Sequence, residues 1–349
     1  MIGLIVNPRS GNDVRRVIAS AGSSTLEDKV SIVRRVVKGA GAAGAMEFVT
    51  HHEPHQIVRR ATETLRGVVV HRLDDPIDNT EADTTRAAMR MRELGCEVVV
   101  VLGGDGTNRA AAKGWPDLPV IPLSTGTNNA FPYWAEPTVA GAAAGLLATG
   151  AVEDGDEVMR RAKVVHLALT ETPGDTASKR AETPDEVALI DAVAVADRWV
   201  GSLELFDPDT MRTAVLTRAD PASIGFSAIG GLLEPCGADD DHGVLVRFAP
   251  ISALASRNGV ERPTLVLRAP TAPGHYADVG IVECRRLALD EQVVIDGPVL
   301  LAFDGERKRR LHEGEHARVA LRRDGPRVVD LAAVMSAAAR EGHFVRQSP

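Results

Sequence analysis

Short apolar runs alternate with longer segments of mixed polarity over the first 160 positions of the chain. The apolar runs are rich in β-branched residues and predict strands at 2–6, 47–49, 67–70, 97–102 and 118–122. The segments between them predict helices at 13–19, 25–38, 80–94 and 138–147. This alternation is typical of an α/β domain with a parallel sheet and flanking helices, which we place at residues 1–160.

The pattern changes near Lys163, where strand-like segments follow one another with few helices between them. These strands are predicted at 164–169, 188–195, 214–217, 245–248, 264–269, 292–295, 299–303 and 317–321. Such a succession indicates an antiparallel, all-β second domain, at residues 161–330. A closing helix is predicted at 331–341, within a C-terminal helix and tail at 331–349.

Composition and charge narrow the function classes. The 349 residues carry a formal net charge of −8, which argues against non-specific binding to nucleic acid or to anionic membranes. The cysteines, Cys96, Cys236 and Cys284, are odd in number and widely spaced, so neither a disulfide framework nor a metal knuckle is expected. No apolar stretch reaches membrane-spanning length, and we expect a cytoplasmic protein without integral membrane contact.

The most informative motif is Gly103-Gly104-Asp105-Gly106-Thr107, which separates a valine-rich strand from a predicted helix. Glycines allow close backbone approach, and the N–H groups of the helix N-terminus attract phosphate. Asp105 is unexpected there, because a carboxylate repels phosphates unless it holds a cation or accepts a proton from a hydroxyl. The motif therefore favours phosphoryl transfer, with a purely structural turn as the alternative.

Three further segments have both a functional and a structural interpretation. Asn128 and Asn129, in the polar run 124–129, are candidate ligands of nucleotide or substrate hydroxyls, or belong to a capped loop before the next helix. Ser227 lies in the glycine-rich run 224–235, which forms either a bend close to a ligand or a structural bulge. Asp304-Gly305 is a common hairpin-turn pair.

Two segments with metal-ligand residue types receive structural interpretations. Residues 51–55 contain three histidines and a glutamate, but Pro54 breaks any helix there, and a surface turn is expected. Residues 239–243, with three consecutive aspartates and His242, are interpreted as a solvated acidic loop. No metal-binding side chain is predicted in the chain.

Together these motifs resemble the superfamily of NAD kinases and diacylglycerol and sphingoid lipid kinases, and most closely its ATP-NAD/AcoX branch. Gly103–Thr107 matches the shared signature residue for residue, and Asn7-Pro8-Arg9-Ser10-Gly11 is similar to the turn after the first strand. Residues 227–235 resemble a segment of NAD kinases, and Asp304-Gly305-Glu306 resembles a late lipid-kinase motif. The AcoX likeness rests on 125–132, 200–208, 218–221 and 303–307.

The resemblance implies an α/β nucleotide domain, a C-terminal β-sandwich and an active site in the cleft between them. It implies ATP with a divalent cation such as Mg²⁺, and a small-molecule hydroxyl acceptor. Asp105 is the expected general base, drawing or orienting the acceptor proton, with Glu306 in reserve. Expected phosphate ligands are Asn7, Ser10, Gly103, Gly104, Gly106 and Thr107. Expected substrate ligands are Asn128, Asn129, Asp191, Ser227 and Asp304.

One departure from the family pattern bears on the acceptor. NAD kinases carry Asn-Glu at the start of a second-domain segment, where this chain has Ile190-Asp191. The hypotheses are therefore an NAD kinase, a kinase of another metabolite or lipid hydroxyl linked to acetoin catabolism, and a non-catalytic nucleotide sensor. We also expect a homo-oligomer.

Overall fold

A computed structural model describes residues 1–10, 25–125, 129–170, 185–196, 207–255 and 261–345. Its described residues form two compact units, one from 1–10, 25–162 and 324–345, the other from within 163–323. The second boundary differs from the 330/331 expected from sequence, because residues 324–330 return to the first unit. The predicted helix at 13–19 lies outside the described residues.

The first unit is built on a sheet of seven described strands in the order β3-β2-β1-β4-β5-β18-β6. Its strands are β1 (Ile2–Val6), β2 (Glu47–Thr50), β3 (Val69–Arg72), β4 (Val98–Gly103), β5 (Pro119–Ser124), β6 (Met159–Arg161) and β18 (Arg327–Val329). All neighbours pair in parallel except β6, which is antiparallel to β18. The α/β class predicted from the alternation is confirmed.

Helices of the first unit cover this sheet. They are α1 (Leu26–Ala42), α2 (Ile57–Thr62), α3 (Glu81–Glu93), α4 (Asp105–Gly114), α5 (Pro137–Ala148) and α7 (Leu331–Arg340). The strands β1, β4 and β5 are buried along their whole length, because helices cover both faces of a parallel sheet. None of the described helices is long and apolar enough to cross a membrane.

The second unit contains two antiparallel sheets, in the orders β12-β13-β11-β10-β9-β15-β16 and β14-β17-β7-β8. Its strands are β7 (Val164–Thr170), β8 (Glu186–Ala188), β9 (Asp191–Val195), β10 (Met211–Leu216), β11 (His242–Phe248), β12 (Leu265–Ala272), β13 (His275–Ala288), β14 (Gln292–Asp296), β15 (Val299–Phe303), β16 (Glu306–Leu311) and β17 (His316–Arg322). A short helix, α6 (Phe226–Gly231), lies against the larger sheet.

The packing in the second unit follows the two-residue period of its strands. In β9, Ala192 and Ala194 belong to a core shared by the two sheets, whereas Val193 and Val195 face a second core on the other side of the larger sheet. The antiparallel sandwich expected from sequence is therefore confirmed.

Glycines bring α1 and α5 into close contact in the first unit. A Cβ on Gly39 would lie 2.1 Å from the carbonyl oxygen of Thr138, whereas a Cβ on Gly41 would meet only the Met46 sulfur, at 3.1 Å. Gly39→Ala should lower the free energy of unfolding by about 1–3 kcal/mol, because backbone atoms would have to move.

Gly41→Ala is the matched control on the same helix, since the end of a methionine side chain can shift. It should be neutral or stabilising by up to about 1 kcal/mol, the helix-propensity gain of alanine. Urea unfolding of both variants measures the difference. Equal losses in the free energy of unfolding would show that the close approach of the two helices at Gly39 does not require glycine.

His51, directly after β2, gives the first unit a sensitivity to acid. Burial lowers the pKa of its imidazole to about 4, against a smaller opposing effect of Asp83, and His52 lowers it further. Its Nδ1 is buried without a hydrogen-bond partner among the described residues. In the unfolded chain the imidazole binds a proton near pH 6.5, whereas in the folded unit it stays neutral down to about pH 4. The free energy of unfolding therefore falls by up to about 3 kcal/mol between pH 6.5 and 4.

His51→Leu should remove that part of the pH dependence, measured by unfolding at pH 7 and at pH 4.5. His55→Gln is the control, because His55 is exposed and carries no comparable burial. An unchanged slope in His51→Leu would contradict the assignment.

Candidate active site

The end of β1 is joined to the helix that follows β4. The N–H of Asn7 donates to the carbonyl of Leu102, at 3.0 Å, and continues the ladder between the two strands. The side-chain Nδ2 of Asn7 donates to Oγ1 of Thr107, at 2.8 Å, and its Oδ1 accepts from the N–H of Arg9. A single amide therefore fixes both its own turn and the first turn of α4.

The glycine turn lies between β4 and α4, where side chains do not fit. A Cβ on Gly103 would lie 2.6–2.7 Å from three side-chain atoms of Thr107, and one on Gly104 would lie 3.0 Å from Oδ1 of Asn129. Gly104 is the N-cap of α4 and supplies no capping side chain. The first N–H groups of α4, beginning at Asp105, can therefore face an anion.

The carbonyl of Gly104 holds the start of α4 in place. It accepts hydrogen bonds from the N–H groups of Thr107 and Asn108, both at 3.1 Å, and from Nδ2 of Asn108, at 3.0 Å. Further along α4, the fully buried Arg109 donates to Oε2 of Glu81 on α3, at 3.0 Å. The helix that follows the glycine turn is thus held to α3 by a partly buried ion pair.

Asp105, the expected general base, binds the backbone of the segment that follows β5. Its Oδ1 accepts from the N–H of Phe131 at 2.8 Å and from that of Ala130 at 3.1 Å. Its Oδ2 also lies 3.1 Å from the N–H of Ala130. The carboxylate therefore positions this segment beside the glycine turn, in addition to any chemistry it performs, and its place in the first turn of α4 suits the helix dipole.

Two hydroxyls connect the turn after β1 to the end of β5. Oγ1 of Thr125 donates to Oγ of Ser10, at 2.7 Å, and Ser10 in turn donates to the carbonyl of Asn7, at 2.8 Å. Ser10 therefore lies where the sequence motif places it, at the carboxyl edge of the sheet, and bridges two strand ends.

Lys29 is a site residue that sequence reasoning missed. It lies on α1 beside Val30 and Val33, is fully buried, and donates through Nζ to the carbonyls of Pro8, at 2.6 Å, and Ser10, at 2.7 Å. A lysine within the apolar face of a predicted helix was the available signal, because a buried ammonium needs acceptors.

The polar run after β5 is partly described. Nδ2 of Asn129 donates to Oγ of Ser124, at 2.9 Å, and this bond directs its Oδ1 toward Gly104. Asn129 thus lies beside the glycine turn, as its predicted role requires. Asn128, predicted as its partner, lies outside the described residues.

In the second unit, Asp304 and Gly305 form the two-residue loop between β15 and β16. Both have positive φ, +48° and +76°, as a type I′ hairpin turn requires. The carboxylate of Asp304 is buried and accepts from the N–H groups of Leu189 (3.0 Å), Ile190 (2.8 Å) and Asp191 (3.2 Å). The hairpin-turn interpretation of this motif explains its backbone conformation. The substrate-binding role of Asp304 stays a prediction.

Asp191 and Glu306 lie at the starts of β9 and β16, the two strands that pair with β15 on either side. Asp191 begins β9, and its carbonyl accepts from the N–H of Asp304, at 3.0 Å. Glu306 begins β16 opposite Phe303, and both acids are partly exposed. Ile190, in contrast, is 3% exposed, so its side chain belongs to the core.

Ser227 lies on α6, close to the backbone of a neighbouring loop. Its buried Oγ accepts from the N–H of Asp220, at 3.0 Å. A Cβ on Gly231 would lie 2.5 Å from the backbone of Asp220 and Pro221, so the glycines of this motif permit a close contact between segments. A ligand-binding role for Ser227 stays a prediction.

The first unit therefore brings most of its predicted residues to one edge of the parallel sheet. They are Asn7, Ser10, Gly103, Gly104, Asp105, Gly106, Thr107 and Asn129. In the second unit, Asp191, Asp304 and Glu306 meet around one hairpin, and Ser227 bonds to a different loop.

Comparison with known proteins divides the chain in a similar way. Residues 2–152 match a family model described as the ATP-NAD kinase N-terminal domain, and residues 176–324 match one described as the acetoin catabolism protein X C-terminal domain. The fold is similar to that of yeast NADH kinase solved with NADH, with a TM-score of 0.52 and 10% identity over all of this chain and 88% of that one. At that identity the likeness concerns the fold alone.

Over its whole length the chain is 33% identical to acetoin catabolism protein X of Cupriavidus necator, and the alignment covers 95% of that protein. The resemblance expected from the motifs is thereby confirmed. The chain belongs to the family of acetoin catabolism protein X, with an N-terminal part of the NAD kinase type.

Proposed function

We propose that the protein is an ATP-dependent phosphotransferase that phosphorylates a hydroxyl group, with NAD as the acceptor and NADP as the product. The observation that carries the proposal is the glycine turn at the start of α4, where Asp105 and the Asn7–Thr107 hydrogen bond lie together. The match of residues 2–152 to the ATP-NAD kinase N-terminal domain supports it.

The phosphates of ATP would bind at the start of α4. The glycines let Thr107 and Asn129 pack against the backbone of the turn, and N–H groups at a helix N-terminus favour anions. Asn7, Ser10 and Thr107 would complete this site from the neighbouring turn, and Gly103, Gly104 and Gly106 would admit the phosphates closely. Mg²⁺, held mainly by the phosphate oxygens, would neutralise charge that develops during transfer.

Asp105 would orient the acceptor hydroxyl and accept its proton. The bonds from the N–H groups of Ala130 and Phe131 place the carboxylate beside the glycine turn. Those N–H groups also hold the carboxylate in one rotamer, which is what a general base needs for alignment. Glu306 is the reserve candidate for this role, on the strength of the lipid-kinase resemblance.

On the family resemblance, we propose Asn128, Asn129, Asp191, Ser227 and Asp304 as acceptor ligands. One observation favours a second candidate function. Ile190 replaces the amide of the NAD kinase pattern, and its side chain is buried while its N–H is bound by Asp304. A position without a polar side chain favours an acceptor other than NAD, such as another metabolite or a lipid hydroxyl.

The direct test is turnover of ATP and Mg²⁺ with NAD, and separately with a panel of alcohols and lipids, by wild type and Asp105→Asn. A general base contributes about 10²–10⁴ in rate, so kcat of the variant should fall by that factor. Because Asn preserves shape, the KM for ATP should change by less than about threefold.

The outcomes separate the candidate functions. NADP formation that is lost in Asp105→Asn supports the first, and turnover of a different acceptor alone moves the assignment to the second. ATP binding without turnover of any acceptor would contradict both and leave a nucleotide sensor. If Asp105→Asn instead raises the KM for ATP and lowers thermal stability as much as kcat, Asp105 acts only by holding residues 130 and 131.

Thr107→Val tests the junction between the two turns. The substitution keeps the side-chain shape but removes the acceptor of the Asn7 amide, so the turn after β1 should lose its alignment with α4. An unmade bond of this kind costs about 1–3 kcal/mol, which predicts a rise in the KM for ATP of roughly 5- to 150-fold.

Thr62→Val on α2 is the control, because among the described residues the Thr62 hydroxyl bonds only to carbonyls of its own helix, those of Val58 and Arg59. It should leave the KM for ATP unchanged. Steady-state kinetics measures both variants, and equal effects would argue against a role of Thr107 in nucleotide binding.

A further inference from the structure

The acidic loop of the second unit brings together side chains of three metal-ligating residue types. Cys236, Asp240 and His242 each offer one potential ligand atom, and these atoms lie within 4.8 Å of one another. They are a sulfur, a carboxylate oxygen and an imidazole nitrogen. Distances of this size suit three ligands of one tetrahedral metal ion, and the set of donors suits Zn²⁺ rather than Mg²⁺ or Ca²⁺.

The ends of the loop are fixed by the surrounding backbone. Cys236 exchanges two backbone hydrogen bonds with Ala219, at 2.8 and 2.9 Å, and His242 is the first residue of β11. Between them, Oδ2 of Asp240 accepts from the N–H of Gly237, at 2.7 Å. The three side chains are therefore held close together before any ion binds.

Arg323 holds the middle of the loop from the other side. Its Nη2 donates to the carbonyls of Asp239, at 3.1 Å, and Asp240, at 2.7 Å. The same group forms an ion pair with Asp241, which therefore already has a cationic partner. Asp240 is the carboxylate of the loop that lies toward Cys236 and His242.

The sulfur of Cys236 is buried among polar groups of the loop. Its Sγ lies 3.1 Å from the carbonyl oxygen of His242. Nζ of Lys163 lies 3.3 Å from Sγ and also donates to the carbonyls of Gly237, at 2.8 Å, and His242, at 2.5 Å. A lysine that donates to a sulfur is the kind of outer partner that metal-bound thiolates have.

His242 supplies an independent indication of a missing partner. Its Nε2 has no solvent exposure to speak of and no hydrogen-bond partner among the described residues. A buried polar atom without a partner is costly, and natural structures leave few of them. Metal coordination by the imidazole would fix the ring in this position and remove that cost.

We propose that Cys236, Asp240 and His242 bind one Zn²⁺ ion, with a fourth position for water. The ion joins the loop of residues 236–242 to the start of β11, and Lys163 is hydrogen-bonded to its thiolate ligand. The donor atoms all belong to the second unit, so binding requires neither ATP nor an acceptor.

The test is a titration of the purified full-length chain, freed of metal by a chelator, with Zn²⁺ against a chromophoric competitor. One equivalent should bind. Cys236→Ser, Asp240→Asn and His242→Gln should each weaken binding by at least about 100-fold, above the ~10–100-fold that loss of an outer-shell partner costs. Co²⁺ in place of Zn²⁺ should give a thiolate charge-transfer absorption that is absent in Cys236→Ser.

Cys284→Ser and Asp239→Asn are matched controls, a second cysteine of the same unit and a neighbouring acid of the same loop, and both should bind as wild type does. Asp240 is exposed, so Asp240→Asn remains informative if the buried Cys236 variant unfolds. Wild type that binds no Zn²⁺, or binding that survives Cys236→Ser and His242→Gln, would overturn the proposal. Binding only after Lys163→Met would also overturn it, since the ammonium would then be the native cation of the loop.

Discussion

The hydrogen bonds from the backbone of residues 130 and 131 to the carboxylate of Asp105 are the interaction on which the candidate site depends. They join the helix after β4 to the segment after β5 at the edge of a parallel sheet, where ligands bind in such folds. Without an acceptor these N–H groups would be lost to water or left unpaired. A carboxylate supplies the stronger, charge-assisted bond, which keeps the segment beside the glycine turn.

The second unit repeats this solution. Asp304 accepts three consecutive N–H groups from residues 189–191, just as Asp105 accepts from two consecutive residues. Both acids stand next to a glycine in a tight turn, and both stand out as chemical candidates in the sequence. A short acid beside glycine can serve the backbone and a ligand at once, because its oxygens have several acceptor positions. Kinetic and structural roles must therefore be separated by KM, kcat and stability together.

Local pattern predicts most of the fold and part of the site. The valine-rich run predicts the strand β4, and the glycines after it predict where that strand ends and the next helix begins. The strand β13, with 14 residues, was not predicted, because arginines and a glycine interrupt its alternation of apolar and polar residues. The strand β18 was not predicted for a different reason. Its return to the first sheet is a long-range pairing with β5 that three residues cannot encode.

The two lysines that the sequence analysis missed share one physical property. The ammonium group of each donates hydrogen bonds to backbone carbonyls. Lys29 is buried against the carbonyls of Pro8 and Ser10, and Lys163 against those of Gly237 and His242. A lysine within an apolar helix face signals a buried cation, but carbonyls are present at every position, so the sequence does not show which of them it binds. The two lysines differ in their third partner. Lys163 also lies 3.3 Å from the sulfur of Cys236, so its ammonium contacts a loop that holds a thiol, a carboxylate and an imidazole close together.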